Sequence, residues 1–369
     1  MAAVVVDAGS GFCKAGFSGE DAPRAVFPSV VGRLRHHVVM VGVDFKDRHV
    51  GDDALAKRGM LHVKHPIDRG VVVSWEDMED IWSHIFYNEL EVSPEDYPVL
   101  VAEPPMNPKA NREGMTRILF ENFHVPAVHI AVQAVLSLYS AGRTTGLVVE
   151  SGHGITSAVP VCEGYLLPHA ALSSSVAGRD LSEFFEQLLC ERGFYFNSSH
   201  ERDILQDMKE KLCWVALDFE AASQDGYKEV RYEMPGGSLA SIGCASFRCP
   251  ELLFQPGLAS LGARGLPELT LHSKCNTEVQ GELFSNIVLA GGSTLFPGLP
   301  ERLAKELNSL SPPDATVKVV APAQRQHGAW LGGATISSVS AFQQMWLTGE
   351  EYDDSGPGAI HERCTYQIQ

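Results

Sequence analysis

The sequence predicts an α/β fold made of two related halves, because one short pattern occurs twice. The apolar run AAVVV at residues 2–6 leads into Asp7 and a glycine turn at residues 8–11. The run LVV at residues 147–149 leads likewise into Glu150 and the turn SGHG. Apolar runs bounded by glycine are typical of buried strands joined by tight hairpins. We therefore expect two halves that face each other, each offering a hairpin tip and a carboxylate to a shared cleft.

The segments between these hairpins complete the α/β pattern. Trp75–Leu90 repeats apolar residues at helical spacing, and Ser74 precedes it as a candidate N-cap. The other predicted helices are Asn111–Phe123, Ala131–Ser140, Ser182–Arg192, Ser199–Phe219 and Pro300–Leu310. The other predicted strands are Phe12–Phe17, Val99–Glu103, Ile155–Pro160 and Val288–Ala290, and the clearest predicted loops are Leu34–Asp53 and Ala221–Gly237. Strands that alternate with helices indicate sheets covered by helices.

Composition narrows the class of protein. The chain has 369 residues, 44% of them hydrophobic, which is an ordinary globular profile and long enough for two domains. No apolar run reaches the roughly 20 residues of a membrane span, so we expect no membrane insertion. The first residues contain no basic region, so we expect no secretory signal. A net charge of −17 argues against nucleic-acid binding, which depends on clustered Lys and Arg.

The eight cysteines are scattered and form no C-x-x-C pair. A fold built on disulfides or zinc is therefore not expected, and reduced thiols in the cytosol or nucleus are the better interpretation. Cys364 lies close to the end of the chain. We expect its thiol to be exposed and reactive.

The glycine hairpins favour phosphate binding. Backbone N–H groups can approach a phosphate oxygen closely where no Cβ intervenes. The segment DAGSGFCK at residues 7–14 adds the Ser10 hydroxyl, the Lys14 amine and the Asp7 carboxylate. One carboxylate suffices for Mg²⁺, which usually keeps several waters. Taken alone, the segment at residues 7–14 fits a plain β-turn equally well. The second hairpin and a third strand-to-glycine junction at residues 291–293 favour phosphate binding.

Many longer segments of the sequence resemble the actin family. They include DAGSGFCKAGFSGEDAPRAVFPSVVGR at 7–33, WEDMEDIW at 75–82, QAVLSLYSAGRTTG at 133–146, KEKLCWVALDFE at 209–220 and LAGGSTLFPG at 289–298. The resemblance covers nearly the whole chain. It implies a two-lobed actin-like ATPase fold, a duplicated nucleotide-cleft domain with four subdomains. Residues 1–140 and 328–369 would form the first lobe, with 29–65 as its small outer subdomain. Residues 141–327 would form the second, with 177–259 as its small outer subdomain.

The resemblance also implies ATP or ADP and a divalent cation, Mg²⁺ or Ca²⁺, in the cleft between the lobes. It assigns Asp7 to the metal, through water, and Gln133 and Glu150 to catalysis. The residues it assigns to the nucleotide are Ser10, Gly11, Phe12, Lys14, Gly152, His153, Gly154, Ile155 and Gly178, with Lys209, Glu210, Gly292 and Phe296 around the adenosine.

Several positions depart from the family pattern. Glu150 stands where actins have Asp, which moves the carboxylate by one methylene, and Ser157 stands where they have the His that helps order the attacking water. His153 replaces an Asp in the second hairpin. Misplacement by about 1 Å can lower a rate roughly 100-fold, and loss of an acid–base group has a similar effect. We therefore expect nucleotide binding with slow or impaired hydrolysis.

Two interaction surfaces follow from the same resemblance. The loop at residues 35–49, with Met40, Val43 and Phe45 as an apolar plug, matches the loop that docks into the next subunit of an actin filament. The cleft that receives amphipathic helices from actin-binding proteins would be lined by Tyr139, Gly142, Thr144, Leu331, Ile336, Val339 and Met345. Actin-type subunits and actin-binding proteins are therefore the expected partners.

The expected role is that of a cytoskeletal component in the cytoplasm that takes part in filament or complex assembly. Two alternatives remain open. A conventional filament-forming ATPase is favoured by Asp7, Gln133 and the first hairpin. A monomeric scaffold subunit of a larger complex, cytoskeletal or chromatin-associated, that never polymerises is favoured by the altered docking loop.

Overall fold

The structure, a computed structural model, describes residues 2–35, 47–196, 198–224, 230–273, 277–312 and 316–364. The chain divides into two compact units. The first unit comprises Met1–Thr144, Gly164–Pro168 and His327–Gln369, and the second comprises Thr145–Glu163 and His169–Gln326. The proposed lobe and subdomain boundaries stay a prediction; residues 164–168, which that prediction puts in the second lobe, belong to the first unit here.

Short strands alternate with helices along the described chain. The strands are β1 Val4–Ala8, β2 Phe12–Phe17, β3 Ala25–Pro28, β4 Val31–Leu34, β5 Arg48–Val50, β6 Leu61–Lys64, β7 Ile67–Asp68, β8 Val71–Val72, β9 Val99–Glu103, β10 Ala127–Val132, β11 Gly146–Ser151, β12 Thr156–Cys162, β13 Tyr165–Leu166, β14 Leu172–Ser174, β15 Arg231–Glu233, β16 Leu239–Ser241, β17 Ile287–Ala290, β18 Val319–Val320 and β19 Leu347–Thr348. The α-helices are α1 Gly51–Ala56, α2 Trp75–His84, α3 Lys109–Glu121, α4 Gln133–Ser140, α5 Gly178–Cys190, α6 Ser199–Leu212, α7 Phe219–Gln224, α8 Ala245–Glu251, α9 Leu266–His272, α10 Thr277–Ser285, α11 Leu299–Leu310, α12 Gly328–Ser337, α13 Gly349–Ser355 and α14 Ile360–Arg363.

The main sheets of the two units share one strand topology. In the first unit the order is β19-β10-β9-β1-β2-β3, with β1 antiparallel to β2 and parallel to β9. In the second unit β11 is antiparallel to β12 and parallel to β17, while β12 also pairs with β14 and β17 with β18. Each sheet thus contains a hairpin followed by parallel neighbours. This confirms the α/β class and the repeated strand–hairpin–strand pattern.

The first strand is buried on both faces. Side chains alternate across a strand, and Val4 and Val6 pack in the cluster that contains Trp82. Val5 packs on the opposite face, in the cluster that contains Trp330. Coverage on both faces explains why β1 is a continuous apolar run and not an alternating one.

Helices α4 and α12 cover one face of this sheet at very close range. A Cβ on Gly332 would lie 1.8 Å from the carbonyl oxygen of Leu136, and one on Gly333 would lie 2.8 Å from Val5. The indole N–H of Trp330 donates to the carbonyl of Val5 at 3.0 Å. The glycine pair in α12 is therefore required for the helices to approach β1 this closely, because any larger residue would separate them.

Two predicted helices end differently. Trp75–Leu90 is α-helical only to His84 and continues as a π-helical segment, Ile85–Glu89. Ser74 holds the N-cap position, but its hydroxyl donates to the Asp77 carboxylate at 2.7 Å and accepts no backbone N–H. The predicted N-cap position is therefore confirmed, although the Ser74 side chain bonds to the buried Asp77 and caps no backbone N–H.

The predicted helix Ser199–Phe219 is wrong in its last third. The helix ends at Leu212, and Cys213 has extended backbone angles. The N–H of Trp214 then donates to Ser246 and that of Val215 donates to Pro297. These long-range backbone bonds replace the helical ones. Phe219 instead begins the separate short helix α7.

Both predicted loops contain regular structure. Leu34–Asp53 includes strand β5 and the start of helix α1, and Ala221–Gly237 includes the end of α7 and strand β15. Residues 36–46, which carry Met40, Val43 and Phe45, lie outside the described residues. The other predicted strands and helices are confirmed, Phe12–Phe17 and Val99–Glu103 at their predicted bounds and the rest with small shifts.

The expectation of an exposed Cys364 is wrong. Its thiol is buried beneath the end of α14, where it accepts the N–H of Ile130 at 3.4 Å and lies 3.5 Å from Nδ1 of His129. Burial raises the pKa of Cys364 to about 11. Burial also lowers the pKa of His129 to about 4, so both groups are neutral near pH 7.

We predict that Cys364 reacts slowly with iodoacetamide in the folded protein. A pKa of about 11 in place of 9.0 lowers the thiolate fraction roughly 100-fold near neutral pH. Cys162, Cys190 and Cys244 are only half-buried and are expected to react first. Peptide mapping after timed labelling, with the urea-unfolded protein as the control, measures the order. Labelling of Cys364 ahead of these three thiols would contradict the buried position.

Candidate functional site

The first hairpin is closed by a backbone hydrogen bond and is held in place by hydrogen bonds from Ser29. The N–H of Gly9 donates to the carbonyl of Phe12 at 3.0 Å. Ser29, which directly follows β3, is fully buried; its hydroxyl donates to the carbonyl of Gly9 at 2.6 Å and its N–H to that of Gly11 at 3.0 Å. The Ser10 hydroxyl accepts the N–H of Gly70 at 2.7 Å. The tip that contains Ser10 and Gly11 is thus fixed at several points.

A buried carboxylate lies at the base of this hairpin. Asp7 pairs with Lys14 in the β1–β2 register, and Lys14 Nζ lies 2.8 Å from Asp7 Oδ2. Gln133, the first residue of α4, donates from Nε2 to Asp7 Oδ1 at 2.8 Å. The predicted metal residue, a predicted phosphate ligand and a predicted catalytic residue therefore meet at one carboxylate.

This donor set fits a hydrated divalent cation. Both oxygens of Asp7 already accept hydrogen bonds from the protein. A cation such as Mg²⁺, which keeps much of its water, can be held through that water by one carboxylate. Asp7 is therefore better suited to orient a metal-bound water than to bind the metal directly.

His327 is a neighbour that the sequence analysis missed. It stands at the N-cap position of α12. Its pKa is lowered, first by burial and then by the positive charge of Lys14, while Asp7 acts in the opposite direction. No local sequence pattern links His327 to residues near the start of the chain, so its place beside Asp7 and Lys14 could not be predicted from the sequence.

The second hairpin repeats the geometry of the first. The N–H of Gly152 donates to the carbonyl of Ile155 at 3.0 Å. The carbonyl of Gly152 accepts the Ser293 hydroxyl at 2.7 Å and the N–H of Gly178 at 3.0 Å. The carbonyl of His153 accepts the N–H of Arg179 at 2.8 Å. The predicted ligands Gly152–Ile155 and Gly178 are therefore brought together, with Gly154 in the same turn.

The two hairpins differ at one matched position of their strands. Asp7 lies opposite Lys14 in the first register, whereas Glu150 lies opposite Ser157 in the second. Directly opposed residues have Cβ atoms about 4.5–5.5 Å apart, and Ser157 is buried. The two departures from the family pattern that bear on hydrolysis thus lie side by side.

The predicted adenosine residues belong to a hydrogen-bonded chain in the second unit. Lys209 is buried, and its Nζ lies 2.7 Å from the Ser182 hydroxyl and 3.2 Å from the carbonyl of Gly178. Burial lowers the pKa of Lys209. The Ser182 hydroxyl lies 2.9 Å from Gln206 Oε1, and the Gln206 amide donates to Glu210. Ser182 was not among the predicted site residues.

The third glycine junction adjoins the second hairpin. Gly291 has φ +83°, and a Cβ there would lie 2.2 Å from the carbonyl oxygen of Ser151. A Cβ on Gly292 would meet nothing within 4 Å. Gly292 therefore offers open backbone to a ligand. Phe296 packs in the core of the second unit with 7% of its surface exposed, so little of its ring remains for an adenine.

The residues predicted for helix binding lie in the first unit. Tyr139 packs against Gly164, where a Cβ would lie 2.2 Å from the tyrosine oxygen, and burial raises the Tyr139 pKa. Gly142, Thr144, Val339 and Met345 are exposed, while Leu331 and Ile336 are half-buried against the cluster around Trp330. This set is apolar and solvent-accessible in part.

A family model described as Actin matches residues 1–365 of this chain. The match agrees with the resemblance carried by the sequence segments and extends over nearly all of the 369 residues. Within the described residues, none of the helices combines the length and apolar character that crossing a bilayer requires.

We predict strong energetic coupling between Asp7 and Lys14. Their side chains are 3% and 17% exposed, so removing either partner leaves a poorly solvated charge. A double-mutant cycle with Asp7→Asn and Lys14→Met, followed by urea unfolding, should give a coupling free energy of about 2 kcal/mol.

The exposed pair Asp207 and Lys211 provides the matched control, with side chains 38% and 66% exposed. Its coupling in the same cycle should stay below about 1 kcal/mol. Equal coupling in the two pairs would show that the Asp7 carboxylate is better solvated than the structure indicates.

Proposed function

This chain belongs to the actin family, and we propose from that membership that it binds ATP, or ADP after turnover, together with Mg²⁺ or Ca²⁺. Its role would be assembly into filaments or larger complexes of the cytoskeleton, with hydrolysis slow or impaired. The observation that carries the proposal is the presence of two glycine hairpins with matching backbone hydrogen bonds, one in each unit.

The hairpins supply the phosphate contacts in this proposal. Backbone N–H groups at Ser10, Gly11 and Phe12, with the Lys14 amine, would hold phosphate oxygens from the first turn. The turn from Gly152 to Ile155 would do so from the second, next to Gly178. A glycine-rich turn suits this task because backbone N–H groups can point together at one anion.

The cation would be held through water by Asp7, and when bound it would supply positive charge that offsets the phosphate oxygens. Gln133, hydrogen-bonded to the same carboxylate, would lie near the attacking water. Lys209 and Glu210 would contact the adenosine, next to the open backbone at Gly292. Phe296 would contribute an apolar edge, since most of its ring is buried.

Slow hydrolysis follows from the composition of the second hairpin. Glu150 has a longer side chain than the aspartate found in actins, and Ser157 opposite it has no ring nitrogen that could order or accept a proton from water. Transfer of a proton by a positioned group typically contributes about 10²–10⁴-fold to a rate. Binding does not need these groups, since the turns that hold the phosphates remain.

Weak turnover would not make the site useless. A ligand that binds only the folded state at 100 times its Kd adds about 2.7 kcal/mol of stability. ATP would then act mainly as a structural ligand. Partner binding through the surface around Tyr139, Leu331 and Met345, and a place in the cytoplasm and cytoskeleton, follow from family membership and are part of the same proposal.

We predict that the purified protein carries near one ATP per chain. Denaturation followed by chromatographic quantification of ATP and ADP measures this directly, with the flow-through of the final column as the blank. Mostly ADP would show that hydrolysis survives the Glu150 and Ser157 changes. A chain without nucleotide, even after incubation with Mg-ATP, would contradict the proposed function.

We also predict that restoring the family residues accelerates hydrolysis. The double variant Glu150→Asp/Ser157→His should raise the single-turnover rate of bound ATP at least about tenfold, because both the carboxylate position and the missing ring nitrogen are restored. The variant Ser157→Ala, which adds no such group, is the control and should not accelerate. If the double variant turns over no faster at equal ATP content, the cause of slow hydrolysis lies elsewhere.

A further inference from the structure

Two serines hold the glycine hairpins in the same way from different parts of the chain. We infer that Ser29 and Ser293 are matched positioning residues that set the direction of the phosphate-binding N–H groups at Ser10 and His153. This inference rests on the proposed binding of ATP and gives Ser29 and Ser293 a role that the sequence patterns did not assign to them.

The first hairpin is held by one side chain and one backbone group of the same residue. The Ser29 hydroxyl donates to the carbonyl of Gly9 at 2.6 Å, and the Ser29 N–H donates to the carbonyl of Gly11 at 3.0 Å. Ser29 is fully buried. Its hydroxyl is shielded from water, and its other neighbour, the Cys13 Sγ at 3.4 Å, belongs to the same hairpin.

The second hairpin is held by a serine in the turn after β17. The Ser293 hydroxyl donates to the carbonyl of Gly152 at 2.7 Å, and the N–H of Gly178 donates to the same oxygen at 3.0 Å. A Cβ on Gly178 would lie 2.6 Å from the Ser293 oxygen, so the three groups are tightly packed. Ser29 and Ser293 thus bind equivalent carbonyls, each on the first glycine of its turn.

The geometry of the peptide bond converts these contacts into control of an N–H direction. In a trans peptide the carbonyl of one residue and the N–H of the next lie in one plane and point in opposite directions. Fixing the carbonyl of Gly9 therefore fixes the N–H of Ser10 on the side away from Ser29. Fixing the carbonyl of Gly152 does the same for the N–H of His153.

Glycine makes this external support necessary. A glycine peptide explores more conformations than any other and loses more entropy when it is ordered. The turns that let a phosphate approach closely are therefore the ones least able to hold their own N–H groups in place. A hydroxyl donor on the opposite side of the peptide plane supplies that order without occupying the phosphate side.

The test compares binding of ATP and adenosine to Ser29→Ala, Ser293→Ala and the double variant. The phosphates are the only difference between the two ligands. Each single variant should weaken ATP binding by up to about tenfold, because ATP must then order a peptide that the lost hydrogen bond no longer holds. Adenosine affinity should stay unchanged, and the double variant should combine the two losses.

Two matched controls separate positioning from general structural damage. Ser337 and Ser246 are buried as Ser29 is, whereas Ser293 is half-buried. Their hydroxyls donate to the carbonyls of Gly333 at 2.6 Å and Gly243 at 2.9 Å, which belong to neither hairpin. Ser337→Ala and Ser246→Ala should leave the ATP-to-adenosine affinity ratio at the wild-type value. Ser29→Thr, which keeps the hydroxyl, should restore ATP binding toward wild type.

The outcomes distinguish failure of the proposed ATP binding from failure of the positioning role of the two serines. A wild-type chain that binds no ATP would refute the proposed function and this inference with it. Wild-type binding that is unaffected in Ser29→Ala and Ser293→Ala, or lowered equally for ATP and adenosine, would refute the inference alone. A selective loss of ATP affinity in both variants, absent from the controls, would support it.

Discussion

The arrangement of the first unit depends on the pairing of one buried carboxylate, Asp7. Strand β1 is covered on both faces, so the residue that follows its valines enters the interior as well. An unpaired carboxylate in such a place costs several kcal/mol. The hairpin register brings Lys14 to one of its oxygens, and the start of α4 after β10 brings Gln133 to the other. The β1–β2 register and the start of α4 thus each place one hydrogen-bond donor on the Asp7 carboxylate.

The second unit keeps the backbone of this arrangement and changes its side chains. Its hairpin closes with the same glycine-to-carbonyl bond and rests on a serine hydroxyl as the first does. At the register position where the first unit pairs Asp7 with Lys14, the second opposes Glu150 to a hydroxyl. A repeated fold therefore carries two different electrostatic environments. The first contains an ion pair, and the second contains a carboxylate opposite a small polar group.

The sequence patterns predicted the parts of the fold that short stretches of chain determine. The hairpins at Asp7 and Glu150 follow from local glycine and valine patterns, and they were found. The end of α6 at Leu212 depends on bonds from Trp214 and Val215 to residues in other elements, which no local pattern reveals. Burial of Cys364 depends likewise on contact with the distant Ile130. Family resemblance named the residues at the hairpin tips, whereas the hydrogen bonds that Ser29 and Ser293 donate behind the tips depend on long-range contacts that no local pattern reveals.

Binding and hydrolysis are separable in this architecture because they depend on different atoms. Phosphate binding would use the backbone N–H groups of the turns, whose directions depend on hydrogen bonds made behind the turns by Ser29 and Ser293. Hydrolysis would use side chains that project from the strands beside the turns, such as Glu150 and Ser157. Substitutions on the strands can therefore alter the rate of hydrolysis without disturbing the phosphate-binding turns. On the proposed function, a chain that keeps both turns while changing the strand residues would retain the nucleotide as a ligand and lose much of its turnover.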